Sequence, residues 1–237
     1  MPDTARAGEG ALAYRPRPGR PARMMPWPAV QRAVDALAIQ IRDAGTEPDA
    51  VIGIVAGGWI VAQCLADHFP GTPVLAAHAR QDGGGLRAEL ASGQDGLLRT
   101  ATLRPGAAVV LADEVIDSGR TAATFTAMLR RDHQLTVLTA CLAASAAAEP
   151  APDFAADRMD HLPELVLPWR VQRDFPQTIA CLLRACPLNT EQIDERLREL
   201  GHDIHPYILD RRLGTLADAG LVTAGPTGQW GLAVRAS

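Results

Sequence analysis

After Trp27, the apolar residues Val30, Val34, Leu37 and Ile41 recur at helical spacing, and the run stops at Gly45 with Pro48 beyond. This pattern predicts an amphipathic helix with an ordinary end. The period then changes. Residues 50 to 55 are a short apolar run closed by Gly57-Gly58, the signature of a strand buried on both faces of a parallel sheet. A helix is expected over 59 to 68 and a further strand over 73 to 77. Asp82-Gly83-Gly84-Gly85 and Ser92-Gly93-Gln94-Asp95-Gly96 bracket a polar, glycine-rich excursion that is expected to be mobile. Residues 107 to 112 predict the next buried strand, 120 to 131 a helix and 135 to 142 another strand. Short apolar runs alternating with helices indicate the α/β class, with a parallel doubly wound sheet.

The pattern differs on either side of this region. Residues 1 to 24 contain Arg-Pro-Arg-Pro-Gly-Arg-Pro-Ala-Arg from Arg15 to Arg23, a composition that cannot repay ordering entropy with buried surface. They are expected to form a flexible tail. Beyond residue 174 the spacing predicts helices over 177 to 185, 191 to 200 (capped by Asn189 or Thr190) and 205 to 219. Two short strands follow, separated by the turn Gly225-Pro226-Thr227-Gly228. Three helices and a wing resemble a winged helix-turn-helix domain. The expected organisation is therefore a tail over 1–24, a main domain over 25–174 and a small domain over 175–237.

A chain of 237 residues is long enough for a large core, and a formal charge of -4 gives no electrostatic reason for tight binding to nucleic acid or membrane. Cys64, Cys141, Cys181 and Cys186 lack Cys-x-x-Cys spacing, and no apolar run has membrane-spanning length. A cytoplasmic protein with reduced thiols is the expectation. The chain has no lysine at all, so any role that needs a flexible ammonium group must fall to another side chain.

The chemistry concentrates in Asp113-Glu114-Val115-Ile116-Asp117-Ser118-Gly119-Arg120-Thr121, where a buried strand meets a helix. Strand ends are where ligands sit in open parallel sheets. A glycine turn at a helix N-terminus offers backbone N–H groups and a favourable dipole to a phosphate. Ser118 and Thr121 add hydroxyls, and Asp113 and Glu114 suit vicinal ribose hydroxyls, directly or through Mg2+ and its waters. The arrangement reads as a sugar-phosphate clamp.

This run resembles the signature of the type I phosphoribosyltransferases: two apolar residues, a spacer, two acids, then a phosphate loop ending in Gly-x-Thr. The helix from Trp27 and the stretch from Pro48 to Gly58 are similar to the family's N-terminal helix and pyrophosphate-binding loop, here Val55-Ala56-Gly57-Gly58. Pro163 to Trp169 looks like the end of the hood that covers the base in bacterial xanthine, guanine and hypoxanthine phosphoribosyltransferases, with Glu164, Leu165 and Trp169 as its candidate contacts. The resemblance implies the type I fold, phosphoribosyl pyrophosphate and a nucleobase as ligands, Mg2+ near Asp113 and Glu114, and a homodimer. It also implies that the excursion from Asp82 to Gly96 closes over the site, and that Asp117 faces N7 of a 6-oxopurine and takes a proton from the attacking ring nitrogen. A capping role for Asp117 at the following helix is compatible with this. Arg120 is expected either to support the phosphate loop or to face solvent.

Three departures bear on the acceptor. Relatives commonly carry arginine or lysine where this chain has Ala56, place a lysine where it has Ala143-Ala144-Ser145, and set a base-stacking aromatic where it has Glu164. The expected activity is transfer of 5-phosphoribose to a purine-like or modified nucleobase. The alternative is a transcription regulator that senses phosphoribosyl pyrophosphate or a nucleotide through the same fold. Against DNA as partner, residues 175–237 hold six arginines and seven acids, a poor surface for phosphate neutralisation.

Overall fold

A computed structural model describes residues 22–82, 85–90, 103–184, 186–199 and 202–233. The expected tail lies outside these residues except at its end. Ala22–Met24 forms strand β1, so the residues nearest the domain are not part of a tail. By internal contacts the chain divides into Met25–Pro163 and a second unit running from Glu164 onward together with β1.

The first unit is the parallel α/β sheet. Its elements are α1 (Trp27–Asp43), β2 (Ala50–Ile54), α2 (Gly57–Ala66), β3 (Val74–Asp82), β4 (Gly85–Leu90), β5 (Ala108–Ile116), α3 (Arg120–His133), β6 (Thr136–Ser145) and β7 (Phe154–Met159). The strand order is β4-β3-β2-β5-β6-β7, parallel throughout except for β4, which pairs antiparallel with β3. Strand alternation assigns the faces. Ile52, Ile54, Leu75, Val109, Leu111 and Val137 pack with Phe125 and Leu129 of α3 on one side. The other side is covered by α1 and α2. There α1 presents Val30, Val34, Leu37 and Ile41, the residues whose spacing predicted it, all at most 1% exposed. At about 25 cal/mol per Å2, such fully covered apolar side chains on both faces of the sheet are the main stabilising term of the unit.

Two features were not anticipated. β3 continues from Val74 to Asp82 and returns as β4, in register from Ala77↔Leu90 to Asp82↔Gly85, so the first part of the polar excursion is a hairpin rather than a loop. Residues 83–84 and 91–96 of the excursion lie outside the described residues, and with them part of the expected closing segment. β7 was also missed, because Phe-Ala-Ala-Asp-Arg-Met carries too weak an alternation to register as a strand.

The second unit contains β8 (Glu164–Val166), which pairs parallel with β1, a 3-10 turn (Pro168–Arg170), α4 (Val171–Leu182), β9 (Leu188–Asn189), α5 (Thr190–Glu199), α6 (Pro206–Asp218), β10 (Val222–Ala224) and β11 (Gln229–Leu232). α4 begins earlier than expected and carries Pro176 inside it, a residue whose usual effect is to end helices. Between Asn189 and α5 the cap is reciprocal: the Gln192 N–H donates to Asn189 Oδ1 at 2.8 Å and the Asn189 N–H donates to Gln192 Oε1 at 3.0 Å. The sheet order β10-β11-β9 closes over a core that includes Phe175, Ile179, Ile193, Leu197, Leu209, Leu213 and Val222.

His202 is 8% exposed in this unit, and its Nε2 has no hydrogen-bond partner. Burial lowers its pKa, so the folded unit holds it neutral. Above the ordinary histidine range this stability is fully present. It is lost as pH falls through the depressed folded value, because the unfolded chain takes up the proton first. The melting temperature should therefore drop as pH is lowered from 7 toward 5, and His202→Leu should flatten that slope in a thermal melt series. An unchanged slope would show that His202 is not the titrating group.

Candidate functional site

β5 delivers two carboxylates to its C-terminal end, and alternation turns them to opposite faces. Asp113 is half-buried, pairs in register with Cys141 of β6, and accepts a 2.8 Å hydrogen bond from the Glu114 N–H. Burial, reinforced by the Asp113 charge, pushes the Cys141 thiol up to about 12, so it stays protonated and inert beside the acids. Glu114 is 1% exposed and faces α2. Its carboxylate lies against Gly57, where a Cβ would overlap it.

The stretch expected to hold pyrophosphate is pressed onto the same strand. A Cβ on Gly58 would come within 2.5 Å of the Ala112 carbonyl oxygen, and one on Gly53 within 2.5 Å of Trp59 Cα. Glycine at 57 and 58 is thus what lets the β2–α2 turn lie flat on β5, and glycine at 53 lets the start of α2 fold closely back over β2. Val55 is half-buried, Ala56 is exposed, and the peptide between them is cis. α2 begins at Gly57 without a side-chain cap, so its first N–H groups face this turn.

On the other side of the strand end, Asp117 is half-buried, Ser118 and Arg120 are exposed, and Thr121 opens α3 half-buried. Gly119 is the N-cap at φ +80°, in the left-handed region, and has no side chain to occupy the helix's first N–H groups. Those donors and the helix dipole converge on the Asp117–Thr121 turn. Arg120 Nε donates to Ser118 Oγ at 3.4 Å, a long bond within the loop itself.

A brace that the spacing of residues did not reveal holds this turn. A Cβ on Gly119 would lie 2.6 Å from the Pro150 carbonyl oxygen, and the Glu149 N–H donates to the Ser118 carbonyl at 3.3 Å. The segment that follows β6 therefore backs the turn directly. A contact between positions some thirty residues apart leaves no periodic trace in the sequence.

Residues 143 to 145, the place of the missing lysine, are the buried end of β6, and Ser145 Oγ accepts from the Ala147 N–H at 3.2 Å. Glu164 and Leu165 stand in β8 and Trp169 in the 3-10 turn, all in the second unit, with Leu165 6% exposed. Among the described residues no group of three or more His, Cys, Asp or Glu side chains converges as a metal cage. The donor set instead suits Mg2+, which is usually held by one or two carboxylates together with substrate oxygens, and Asp113 at the strand end meets that requirement.

A family model, the phosphoribosyl transferase domain, matches residues 23–174. The chain belongs to this family. Its phosphoribosyltransferase region covers the whole parallel sheet and ends in the first turn of α4. Among solved structures, a purine phosphoribosyltransferase from Pyrococcus horikoshii Ot3 is 24% identical with a TM-score of 0.50, covering 62% of this chain and 93% of that one. A xanthine-guanine-hypoxanthine phosphoribosyltransferase from Helicobacter pylori is 16% identical with a TM-score of 0.52, covering 66% of this chain and 99% of that one. A hypothetical protein from Neisseria gonorrhoeae with bound ppGpp is 24% identical with a TM-score of 0.50, covering 63% and 89%. At these identities the likeness establishes the type I phosphoribosyltransferase α/β fold. No curated protein matches the chain.

Proposed function

We propose that the protein transfers 5-phosphoribose from phosphoribosyl pyrophosphate to a ring nitrogen of a purine-like base and releases pyrophosphate. One observation carries this reading. β5 ends between two glycine-built turns, Gly57-Gly58 on one face and Asp117–Thr121 on the other, each at the start of a helix that leaves backbone N–H groups for an anion. Phosphoribosyl pyrophosphate is anionic at both ends, with a diol between them.

In this scheme Ser118, Gly119 and Thr121 hold the 5-phosphate, Arg120 steadies their loop, and Val55 to Gly58 face the pyrophosphate. Asp113 accepts from the ribose hydroxyls. Glu114, buried against Gly57, reaches them only by leaving that contact, and otherwise fixes the pyrophosphate turn to β5. Mg2+, when bound through Asp113 or Glu114 and substrate oxygens, supplies charge stabilisation to the departing pyrophosphate. The bond from C1 to the pyrophosphate oxygen breaks with its electron pair leaving on pyrophosphate. The bond from the ring nitrogen to C1 forms, and Asp117 takes the proton released from that nitrogen. Glu164, Leu165 and Trp169 are the residues proposed to cover the base.

The sugar-phosphate half is more sharply specified than the base half. Ala56 removes a cation from the pyrophosphate turn, and the buried Ala143-Ala144-Ser145 provides no long donor to an exocyclic oxygen, which favours broad or unusual base selection. The second unit has a feature of its own. Its order of helix, strand, two helices and a hairpin supports a winged-helix-like module, but the exposed face of α6 carries Tyr207, Ile208, Asp210, Arg211 and Asp218, which is not a cationic surface for DNA. A packing or regulatory role in a homodimer is the better reading.

Pyrophosphate release should be measured from phosphoribosyl pyrophosphate with Mg2+ against hypoxanthine, guanine, xanthine, adenine, deazapurines and pyrimidines. Base-dependent release supports the transferase and names its acceptor. Tight binding of phosphoribosyl pyrophosphate with no release on any base would transfer the assignment to a ligand sensor.

A further inference from the structure

Behind the phosphate turn lies a separate cavity of about 290 Å3, lined entirely by the first unit. One wall is the first half of α3, with Ala122, Ala123, Thr126 and Ala127, and the other is the segment from Pro150 to Asp153 that joins β6 to β7. This segment is pinned at both ends. At one end Pro150 abuts Gly119, and at the other the Asp153 carboxylate accepts from the Thr139 N–H at 2.7 Å and from the Thr139 hydroxyl at 2.9 Å. The strap is therefore held in place, and the alanine side chains opposite are too short to fill the gap.

A second observation points to a ligand. The Thr126 hydroxyl is buried and has no hydrogen-bond partner. Two other helical threonines use theirs on the carbonyl one turn back, Thr124 on Arg120 at 2.9 Å and Thr215 on Arg211 at 3.0 Å. A buried hydroxyl that forgoes this bond calls for a partner of its own. As it stands the oxygen is covered, so meeting a ligand in the cavity that Thr126 lines requires a change of χ1 rotamer.

We propose that this cavity is an effector site for a planar, nucleobase-sized heterocycle, distinct from the substrate site and coupled to it. Alanine methyls and proline rings make flat apolar walls, Thr126 meets one ring N–H or ring nitrogen, and Arg130 and Asp153 give the rim a polar edge. A ligand seated there bears on Pro150, and Pro150 bears on Gly119, so occupancy changes the shape of the phosphate turn. Only this coupling rests on the function proposed above; binding does not.

The full chain, labelled with 13C at alanine methyls, should be titrated with uracil and, separately, with indole. Saturable shifts are expected at Ala122, Ala123 and Ala127, with loss of the response in Ala123→Leu, whose side chain fills the gap. The isosteric Thr126→Val should weaken uracil roughly 5- to 10-fold, the effect of one hydrogen bond. Saturating probe should also change the affinity for ribose 5-phosphate at least several-fold, and should not do so in Ala123→Leu. If neither probe shifts these methyls, or if Ala123→Leu responds as before, the site is refuted. Shifts without any change in ribose 5-phosphate affinity would refute the coupling. Because the methyl readout needs no turnover, failure of the transferase assignment would leave the binding result standing.

Discussion

Asp117→Asn is expected to lower kcat by roughly 10²- to 10⁴-fold while leaving the affinity for phosphoribosyl pyrophosphate nearly unchanged. The substitution keeps the shape and hydrogen-bonding reach of the side chain but removes its ability to take a proton. The phosphate turn is held by other means, namely the left-handed Gly119, the brace from Glu149 and Pro150, and the N-terminus of α3. Steady-state kinetics with the best base of the panel, together with calorimetric titration of phosphoribosyl pyrophosphate, separates the two effects. Equal loss of binding and turnover would make Asp117 a structural part of the turn. An unchanged kcat would remove it from proton transfer altogether.

Gly57→Ala should destabilise the first unit by about 2–4 kcal/mol, seen as a lower denaturation midpoint, and weaken pyrophosphate binding with it. The new methyl would occupy space held by the Glu114 carboxylate, and at 1% exposure Glu114 has no solvent into which to retreat. Either a buried charged group loses its partners or α2 lifts off β5. Removing the carboxylate as well, in Gly57→Ala with Glu114→Ala, should recover part of the loss, with a coupling of about 1–3 kcal/mol in the double-mutant cycle. Strict additivity would mean that Gly57 is required for a reason other than its approach to Glu114. In the proposed site this pair joins the strand that carries the acids to the turn assigned to the pyrophosphate.

The parallel sheet was legible because its strands are short unbroken apolar runs and its helices carry apolar residues at a clear period, as in α1 and in Ala50–Ile54. The turn between β5 and α3, proposed to hold the phosphate, was legible as a turn because a glycine among small polar residues separates an apolar run from a helical one. β7 and the β3–β4 hairpin were not, since Phe154–Met159 alternates weakly and Val74–Asp82 ends in residues that read as loop. The helix expected over 177 to 185 is α4 at Val171–Leu182, displaced toward the N-terminus, with Pro176 tolerated in its interior. Listing Asp113 and Glu114 side by side also gave no warning that they face opposite ways, although period-two alternation requires it once both lie within one strand.

Local pattern alone thus determined the α/β class, the order of most elements, the capped α5 and the glycine turn that joins β5 to α3, because each depends on neighbours within a few residues. Tertiary structure alone decided what stands against that turn and that strand: Glu149 and Pro150 behind Gly119, Gly57 beneath Glu114, and the small cavity under α3 with its unpaired Thr126 hydroxyl. Those relations join segments from about twenty to nearly sixty positions apart. They are set by close packing between segments that the strand order brings together, and packing of that kind has no period along the chain.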